Sequence, residues 1–500
     1  MPEKLVRMIA LLLSLLLFPS TLAGCQVVPS AETSVTSSDN AVAATDNSDV
    51  AIVLRIVTEK TDGLLTNKLV QDLIEEYEEA HKNVKFELEI LPTDETEREF
   101  RLKTLRTEMM SGKGPDIFLM PTNNQFIRQE LLVKDVTQSM YSGIFADISQ
   151  LYVADVELQT ERLQSSVMDA GTIGDARYVL PLQYNIDTVL IDKKVFAQYD
   201  IPMEEFTSSF DTLYKTILEK NDPTLARSAN MYLAWGTRPF SQLIDYENEE
   251  VLITPEEIAD HFRIFQQWTK LQSAAERPLA GPFEGPTMIS SYVGSNEFWQ
   301  FDEDPMAINP LFSAIQSVVI NKGTNQGETI AYPMRSSDGS LSAEVTYWGA
   351  IGAGCEHVDI AYDFLRQFLS EEVQWEMRWG RNWFNLVYSR LITGYPVRTV
   401  DSVGPMTTYV TNLAYRLVVD TPEYQERWEI LEPVALTDSD FPILDAEIDY
   451  VRFPLSWEVD FWFARKDLVD FFNGCQPADV DVDEVARELH QQLVYHVAES

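Results

Sequence analysis

The stretch Ala51–Val57, with the sequence AIVLRIV, begins the pattern that decides the fold. It is short, apolar and rich in β-branched residues, which is typical of a buried strand. Apolar residues then recur at helical spacing, at Val70, Leu73, Ile74 and Tyr77. Val84–Ile90 follows with alternating apolar and charged residues, as expected for a strand with one buried face. A strand, a helix and a strand in this order predict a βαβ unit, and therefore a mostly parallel sheet in an α/β fold.

The same alternation continues along the chain. A second helix is predicted from about Glu95 to Met110, because the Gly- and Pro-containing segment Ser111–Pro115 follows it. Further strand-like runs lie at Asp116–Met120, Tyr178–Leu182, Asp187–Ile191 and Val345–Ile351. Two more amphipathic helices are predicted, one through Ala361, Phe364, Leu365, Phe368 and Leu369, the other through Leu489, Leu493 and Val497.

The N-terminus has the order of a secretory signal. Lys4 and Arg7 precede the apolar run Met8–Phe18, which is shorter than a membrane span. Leu22–Cys25, with the sequence LAGC, resembles the lipobox of bacterial lipoproteins, in which the signal is cut before the cysteine and the thiol is lipidated. Residues 26–50 are polar without hydrophobic periodicity, so we expect a flexible tether. An ordinary secretory signal with a chance cysteine is the alternative.

Composition excludes several partners. The net charge of −41 argues against nucleic acid and against an anionic membrane surface, both of which are bound through Lys and Arg. No segment after the signal approaches the ~18 consecutive apolar residues of a transmembrane helix. Beyond the signal, membrane association is therefore expected through the lipid anchor alone.

No metal or cofactor site is predicted. The five histidines show no metal-ligand spacing. Gly349–Gly354 follows a strand as a dinucleotide-binding loop would, but it is not GxGxxG, and a close crossing of the backbone explains it better. Cys355 and Cys475 remain either a disulfide or two buried thiols.

Eight short stretches, taken in order, carry a family resemblance. They are GPDI (114–117), LLVKDVT (131–137), YVLP (178–181), YNID (184–187), IDKKVF (191–196), AYDFL (361–365), FLSEEVQ (368–374) and GYPVR (394–398). Their order resembles the extracellular solute-binding proteins of ABC importers, the sugar-type group (family 1) that includes maltose-binding protein. The resemblance covers most of residues 51–400, whereas residues 200–340 and 401–475 contribute little to it.

The resemblance implies a type II periplasmic-binding-protein-like fold, in which two α/β lobes close on a ligand in the cleft between them. Crossings between the lobes are expected near Val179–Asn185 and Tyr347–Ala353. The expected division is a signal peptide at 1–24, a tether at 25–50, a first lobe at 51–180 and 348–400, and a second lobe at 181–347 and 401–500.

Polar candidates for ligand contact lie at two places. Asn123 and Asn124 follow the 116–120 strand where the family places a polar ligand contact; the alternative is a turn. Tyr184, Asn185 and Asp187 lie at the first expected crossing. A carboxylate and an amide suit paired sugar hydroxyls. The alternative is a purely structural role at the hinge.

Aromatic candidates lie at the second crossing and in the second lobe. Tyr347 and Trp348 could stack on the apolar face of a sugar, and core packing is the alternative. Trp235 and Trp299 are further candidates from the second lobe, each with the same alternative.

The expected function is that of a lipid-anchored protein on the extracytoplasmic face of the cell membrane. It delivers a small molecule, a sugar or oligosaccharide, to ABC permease subunits. No enzymatic activity is predicted, since no nucleophile elbow, zinc motif or phosphate loop occurs. A surface glycoside hydrolase or lyase, and a ligand-sensing lipoprotein without a transport role, are the alternatives.

Overall fold

The computed structural model describes residues 51–59, 64–122, 130–160, 162–229, 239–275, 306–310, 318, 329–379, 394–398, 443, 446–455 and 480–498. Its strands are β1 (Ile52–Thr58), β2 (Val84–Ile90), β3 (Ile117–Pro121), β4 (Thr172–Ile173), β5 (Ala176–Arg177), β6 (Val179–Asn185), β7 (Asp187–Asp192), β8 (Ile244–Asp245), β9 (Glu250–Val251), β10 (Met306–Pro310), β11 (Thr329–Pro333), β12 (Ser342–Ile351), β13 (Tyr395–Pro396) and β14 (Tyr450–Arg452).

The helices are α1 (Leu64–Ala80), α2 (Glu95–Met110), α3 (Val136–Tyr141), α4 (Ser149–Ala154), α5 (Val156–Thr160), α6 (Ser165–Asp169), α7 (Lys193–Phe196), α8 (Met203–Phe206), α9 (Phe210–Lys220), α10 (Pro223–Ser228), α11 (Pro255–Gln272), α12 (Val358–Leu365), α13 (Glu371–Trp379) and α14 (Val482–Ala498). Short 3₁₀ turns lie at Ala197–Tyr199 and Arg366–Leu369. No helix among the described residues has the length and apolar character needed to cross a bilayer.

The first lobe is built on a seven-stranded sheet. Its order is β13-β6-β12-β3-β1-β2, and β14 pairs with β12. Strand β1 lies parallel to both β2 and β3, with α1 and α2 as the crossover helices, so the predicted βαβ unit is confirmed. Helix α2 begins after Asp94, whose side chain accepts a hydrogen bond from the Glu97 amide at 3.0 Å. Helices α12 and α13 complete the first hydrophobic cluster.

The second lobe has its own sheet and its own core. Strand β7 pairs antiparallel with β10 and β11. Helices α9, α11 and α14 pack together in a second hydrophobic cluster, in which Trp268 and Phe262 are almost completely buried. Helix α11 begins with a capping box between Thr254 and Glu257. Two separate cores are what the two-lobe fold requires, and the predicted fold class is confirmed.

The chain passes between the two sheets at short segments. Strand β6 ends at Asn185 in the first sheet and β7 begins at Asp187 in the second, close to the first expected crossing. The second crossing lies between Pro333 and Ser342, before the expected position near Tyr347–Ala353. The difference arises because β12 is long and pairs with β6 from Glu344 onward. The lobe boundaries predicted from the sequence remain a proposal. The strand pairing supports moving the boundary at 180/181 to between Asn185 and Asp187, and the boundary at 347/348 to between Pro333 and Ser342.

Candidate functional site

The carboxyl ends of three strands meet at one edge of the large sheet. Strands β3 and β6 both pair antiparallel with β12, so β1, β3 and β6 all run in the same direction. Thr58 ends β1, Thr122 follows β3, and the Thr122 amide donates to the Thr346 carbonyl oxygen at 3.0 Å. Ligands of open α/β sheets bind outside such carboxyl ends. This edge, next to the crossings between the lobes, is therefore the candidate site.

Several side-chain oxygens at this edge are buried without a hydrogen-bond partner among the described residues. They are Thr58 Oγ1, Thr122 Oγ1, Thr346 Oγ1 and the Tyr347 hydroxyl. The Tyr347 hydroxyl faces Thr58 without a well-formed hydrogen bond, and burial raises its pKa. A buried hydroxyl without a partner costs about 1–3 kcal/mol. The edge therefore offers hydrogen-bonding capacity that a polar guest, such as a sugar hydroxyl or a water, could satisfy.

A buried ion pair supports the end of β1. Glu59 Oε1 accepts a hydrogen bond from Arg98 Nη2 at 2.8 Å, and the two side chains are 0% and 3% exposed. Burial raises the pKa of Glu59, and the contact with Arg98 only partly offsets it. Arg98 also donates to the Glu130 carbonyl oxygen, at 2.7 and 3.0 Å. Arg98 thus joins Glu59, which directly follows β1, to Glu130, which precedes α3.

The first crossing holds two of the predicted polar residues close together. Asn185 Nδ2 donates to Asp187 Oδ1 at 3.0 Å. Glu344 lies opposite Asn185 in the strand ladder and accepts two hydrogen bonds from Arg452, at 2.7 and 3.2 Å. Tyr184 is 6% exposed and its ring packs edge-on against Tyr395. These contacts hold residues at the crossing between the lobes to one another. Ligand contact by Tyr184, Asn185 and Asp187 stays a prediction.

The aromatic candidates at β12 lie inside the first lobe. Tyr347 is 0% exposed and Trp348 is 1% exposed. The Trp348 ring packs edge-on against Phe145, with ring centroids 5.5 Å apart. In this arrangement neither ring has a free face, which supports the core-packing alternative. The candidates Asn123, Asn124, Trp235, Trp299 and Cys25 lie outside the described residues.

Sequence reasoning missed a crevice between the lobes. Its volume is about 420 Å³, and its walls are α3 and β4 from the first lobe and the β8–β9 hairpin from the second, with β14 between them. Tyr141 and Tyr246 stack across it, with ring centroids 6.1 Å apart and planes at 18°. No sequence signal joins these residues, because they come from distant parts of the chain.

The described residues contain no group of three or more His, Cys, Asp and Glu side chains placed to hold a metal ion. Cys355 is buried and forms no disulfide with any described residue. Cys475 lies outside the described residues, so whether the two cysteines pair stays open.

Comparison with known proteins places the chain in a wider group. The family model for bacterial extracellular solute-binding proteins matches residues 62–375, which is more than half of the chain. No curated protein sequence matches the chain significantly.

The chain is similar to several solved structures, three of which follow. One is an ABC substrate-binding protein of Listeria monocytogenes in complex with cycloalternan (9% identity, 90% of this chain and 99% of that one, TM-score 0.48). Another is the galacto-N-biose/lacto-N-biose I-binding protein of Bifidobacterium longum (13% identity, 90% of this chain and 98% of that one, TM-score 0.48). The third is a cyclic α-maltosyl-1,6-maltose binding protein of Arthrobacter globiformis (17% identity, 89% of this chain and 99% of that one, TM-score 0.44).

Proposed function

Because the chain belongs to the bacterial extracellular solute-binding proteins, we propose that it binds a carbohydrate between its lobes and delivers it to an ABC-type permease. Membership makes it an extracytoplasmic binding protein and not an enzyme, as predicted. The observation that carries the proposal is the edge of the large sheet, where buried hydroxyls without partners lie beside the crossings between two separately packed lobes.

A carbohydrate suits the chemistry of this edge. Thr58, Thr122 and Thr346 supply hydroxyls, and Asn185 and Asp187 supply an amide and a carboxylate. Hydroxyls and amides both donate and accept hydrogen bonds, as the paired hydroxyls of a sugar require. The chain has ten tryptophans, a residue type suited to stacking on a sugar, and of these Trp268 and Trp348 pack in the cores.

The membrane attachment is a second part of the proposal. We propose that Cys25 carries the lipid anchor, since LAGC ends a signal-like segment. Acyl chains contribute about 0.8 kcal/mol of anchoring per buried methylene. In a bacterial host, wild-type protein should incorporate labelled palmitate and partition into detergent, and Cys25→Ser should do neither. Equal partitioning of both would contradict the anchor.

Ligand binding is tested by a thermal-shift screen of oligosaccharides on the body from Ala51, with chromatography of each sugar after incubation. A cognate sugar should raise the melting temperature, because it binds only the native state, and should be recovered uncleaved. Small-angle scattering with that sugar should show a smaller radius of gyration. Cleavage of the sugar would favour the hydrolase alternative, and no response to any sugar would contradict the carbohydrate assignment.

A pair of matched variants locates the site. Asp187→Asn should reduce the thermal shift, because the amide accepts fewer hydrogen bonds than the carboxylate. Asp175→Asn makes the same change at an exposed turn between β4 and β5 and should leave the shift intact. Equal shifts in both variants would remove Asp187 from the site. Loss of sugar uptake in a strain lacking the protein would separate transport from sensing.

A further inference from the structure

A buried carboxylate of the first lobe bonds to two side chains of the second. Asp135 is 3% exposed and caps α3, where its Oδ1 accepts a hydrogen bond from the Gln138 amide at 3.0 Å. Its other oxygen, Oδ2, accepts a hydrogen bond from the Tyr246 hydroxyl and lies 2.6 Å from His496 Nε2. Each carboxylate oxygen thus serves a different lobe.

The two partners of Asp135 are held firmly within the second lobe. Tyr246 lies in the turn of the β8–β9 hairpin and packs against the second hydrophobic cluster. His496 lies in the last turn of α14, whose apolar face is buried in the same cluster. Helix α3 adds a contact of its own, since Gln138 Nε2 donates to the His496 carbonyl oxygen at 3.4 Å. Together with the Tyr141–Tyr246 stack, these contacts join the lobes away from the crossing segments.

Moving the lobes apart at this point would be costly. A hydrogen bond to an ionised carboxylate is about twice as strong as one between neutral groups. A carboxylate that stays buried after losing its donors also loses the interactions that compensated its desolvation. Burial and the neighbouring Asp135 charge raise the pKa of Tyr246 well above its ordinary value, so the hydroxyl keeps the proton that it donates.

We propose that Asp135, Tyr246 and His496 form a latch that holds the two lobes in one relative arrangement, and that a change of lobe arrangement must break this latch. The latch itself does not depend on what the cleft binds. Its consequence rests on the proposed function: if ligand binding changes the lobe arrangement, the latch alters apparent ligand affinity without touching the ligand, by changing the population of the competent arrangement.

Amide hydrogen exchange of the full chain, measured by mass spectrometry without any sugar, tests the latch independently of the proposed function. Each variant is followed in the lobe that it does not alter. Tyr246→Phe removes one hydroxyl from the second lobe and should speed exchange about tenfold in the first turn of α3, in the first lobe. Asp135→Asn keeps the helix cap, because Asn caps as well as Asp, and should speed exchange in the β8–β9 hairpin.

Tyr141→Phe is the matched control, since it keeps the stacked ring and removes a hydroxyl from a half-exposed side chain outside the latch. It should leave both segments unchanged. Amides of β1 and β3 report global stability and should exchange as in the wild type. If the amide exchange rate of either variant changes only in the lobe that carries the substitution, the latch is overturned. It is also overturned if exchange becomes faster throughout the chain and the increase at α3 and the hairpin is no larger than elsewhere.

Discussion

Replacing Trp348 by alanine decides whether its ring supports the core or contacts a ligand. Trp348 lies in β12, between Pro181 of β6 and Met120 of β3 in the strand ladder. Its ring is 1% exposed and packs against Phe145. Its indole N–H has no hydrogen-bond partner among the described residues. The substitution therefore removes a large apolar group from the first hydrophobic cluster, together with one unsatisfied donor.

The magnitude follows from the burial. A tryptophan buries at most about 250 Å², which at about 25 cal/mol per Å² gives an upper limit of about 6 kcal/mol. Alanine retains its own methyl group, and loss of the unsatisfied N–H recovers part of a cost of about 1–3 kcal/mol. We expect the free energy of unfolding to fall by about 3–5 kcal/mol, as for other large-to-small changes in cores. Trp348→Phe keeps most of the apolar area, loses the N–H, and should cost less than half as much.

Urea unfolding of the wild type and both variants measures this loss. Calorimetric titration with the sugar that gives the largest thermal shift measures binding in parallel. A core role predicts a lower unfolding midpoint in Trp348→Ala with a Kd within about twofold of the wild type for the folded protein. An alanine variant as stable as the wild type, with binding weakened tenfold or more, would refute the core assignment and restore the stacking hypothesis.

Three further outcomes are expected. Arg98→Met leaves Glu59 buried without its cation and should lower the free energy of unfolding by about 3–5 kcal/mol, so an unchanged urea midpoint would contradict the ion pair. Gly352→Ala places a Cβ 2.3 Å from the Pro115 carbonyl oxygen and should cost about 1–3 kcal/mol by the same assay, whereas a neutral effect would show that the loop yields freely. Burial raises the pKa of Glu108, but hydrogen bonds and charge from Arg55 and Arg101 outweigh it and lower the pKa below 4.5. The stabilisation that Glu108 contributes is therefore present above pH 4.5 and lost as the pH falls through the lowered pKa. The melting temperature of Glu108→Gln should depend less on pH in this acid range than that of the wild type, and an equal pH dependence of the two would exclude the effect.

The parts of the fold that sequence predicts are those that depend on neighbours along the chain. Helix α2 has the predicted bounds, Glu95–Met110, because Asp94 caps its start and Gly112 and Gly114 follow its end. The βαβ unit is likewise visible in sequence, since the first strand is apolar except at Arg55 and the next strand alternates apolar and charged residues. Each of these signals lies within about 20 residues, the range over which periodicity and caps operate.

The aromatic pair at β12 shows where such reasoning stops. Successive side chains of a strand point to opposite faces of the sheet, so Tyr347 and Trp348 do not line one surface together. The ladder between β12 and β6 also shifts register twice, between Val345 and Tyr347 and again between Tyr347 and Trp348. A bulge depends on the partner strand, and the sequence of β12 alone does not reveal it.

Asp135 extends the same argument to function. Aspartate is a residue type that commonly caps helices, and one of the Asp135 oxygens caps α3. The other oxygen meets Tyr246 and His496, which lie 111 and 361 residues farther along the chain. A local pattern therefore accounts for only half of what this carboxylate bonds, and the other half exists only once both lobes have folded. The same holds for the candidate ligand site, which is assembled from strand ends and from segments that cross between lobes. In this fold the local sequence pattern around a residue indicates which helix or strand it belongs to. Its role depends on which residues of the other lobe it contacts. Experiments on function should therefore change a residue in one lobe and measure the effect in the other.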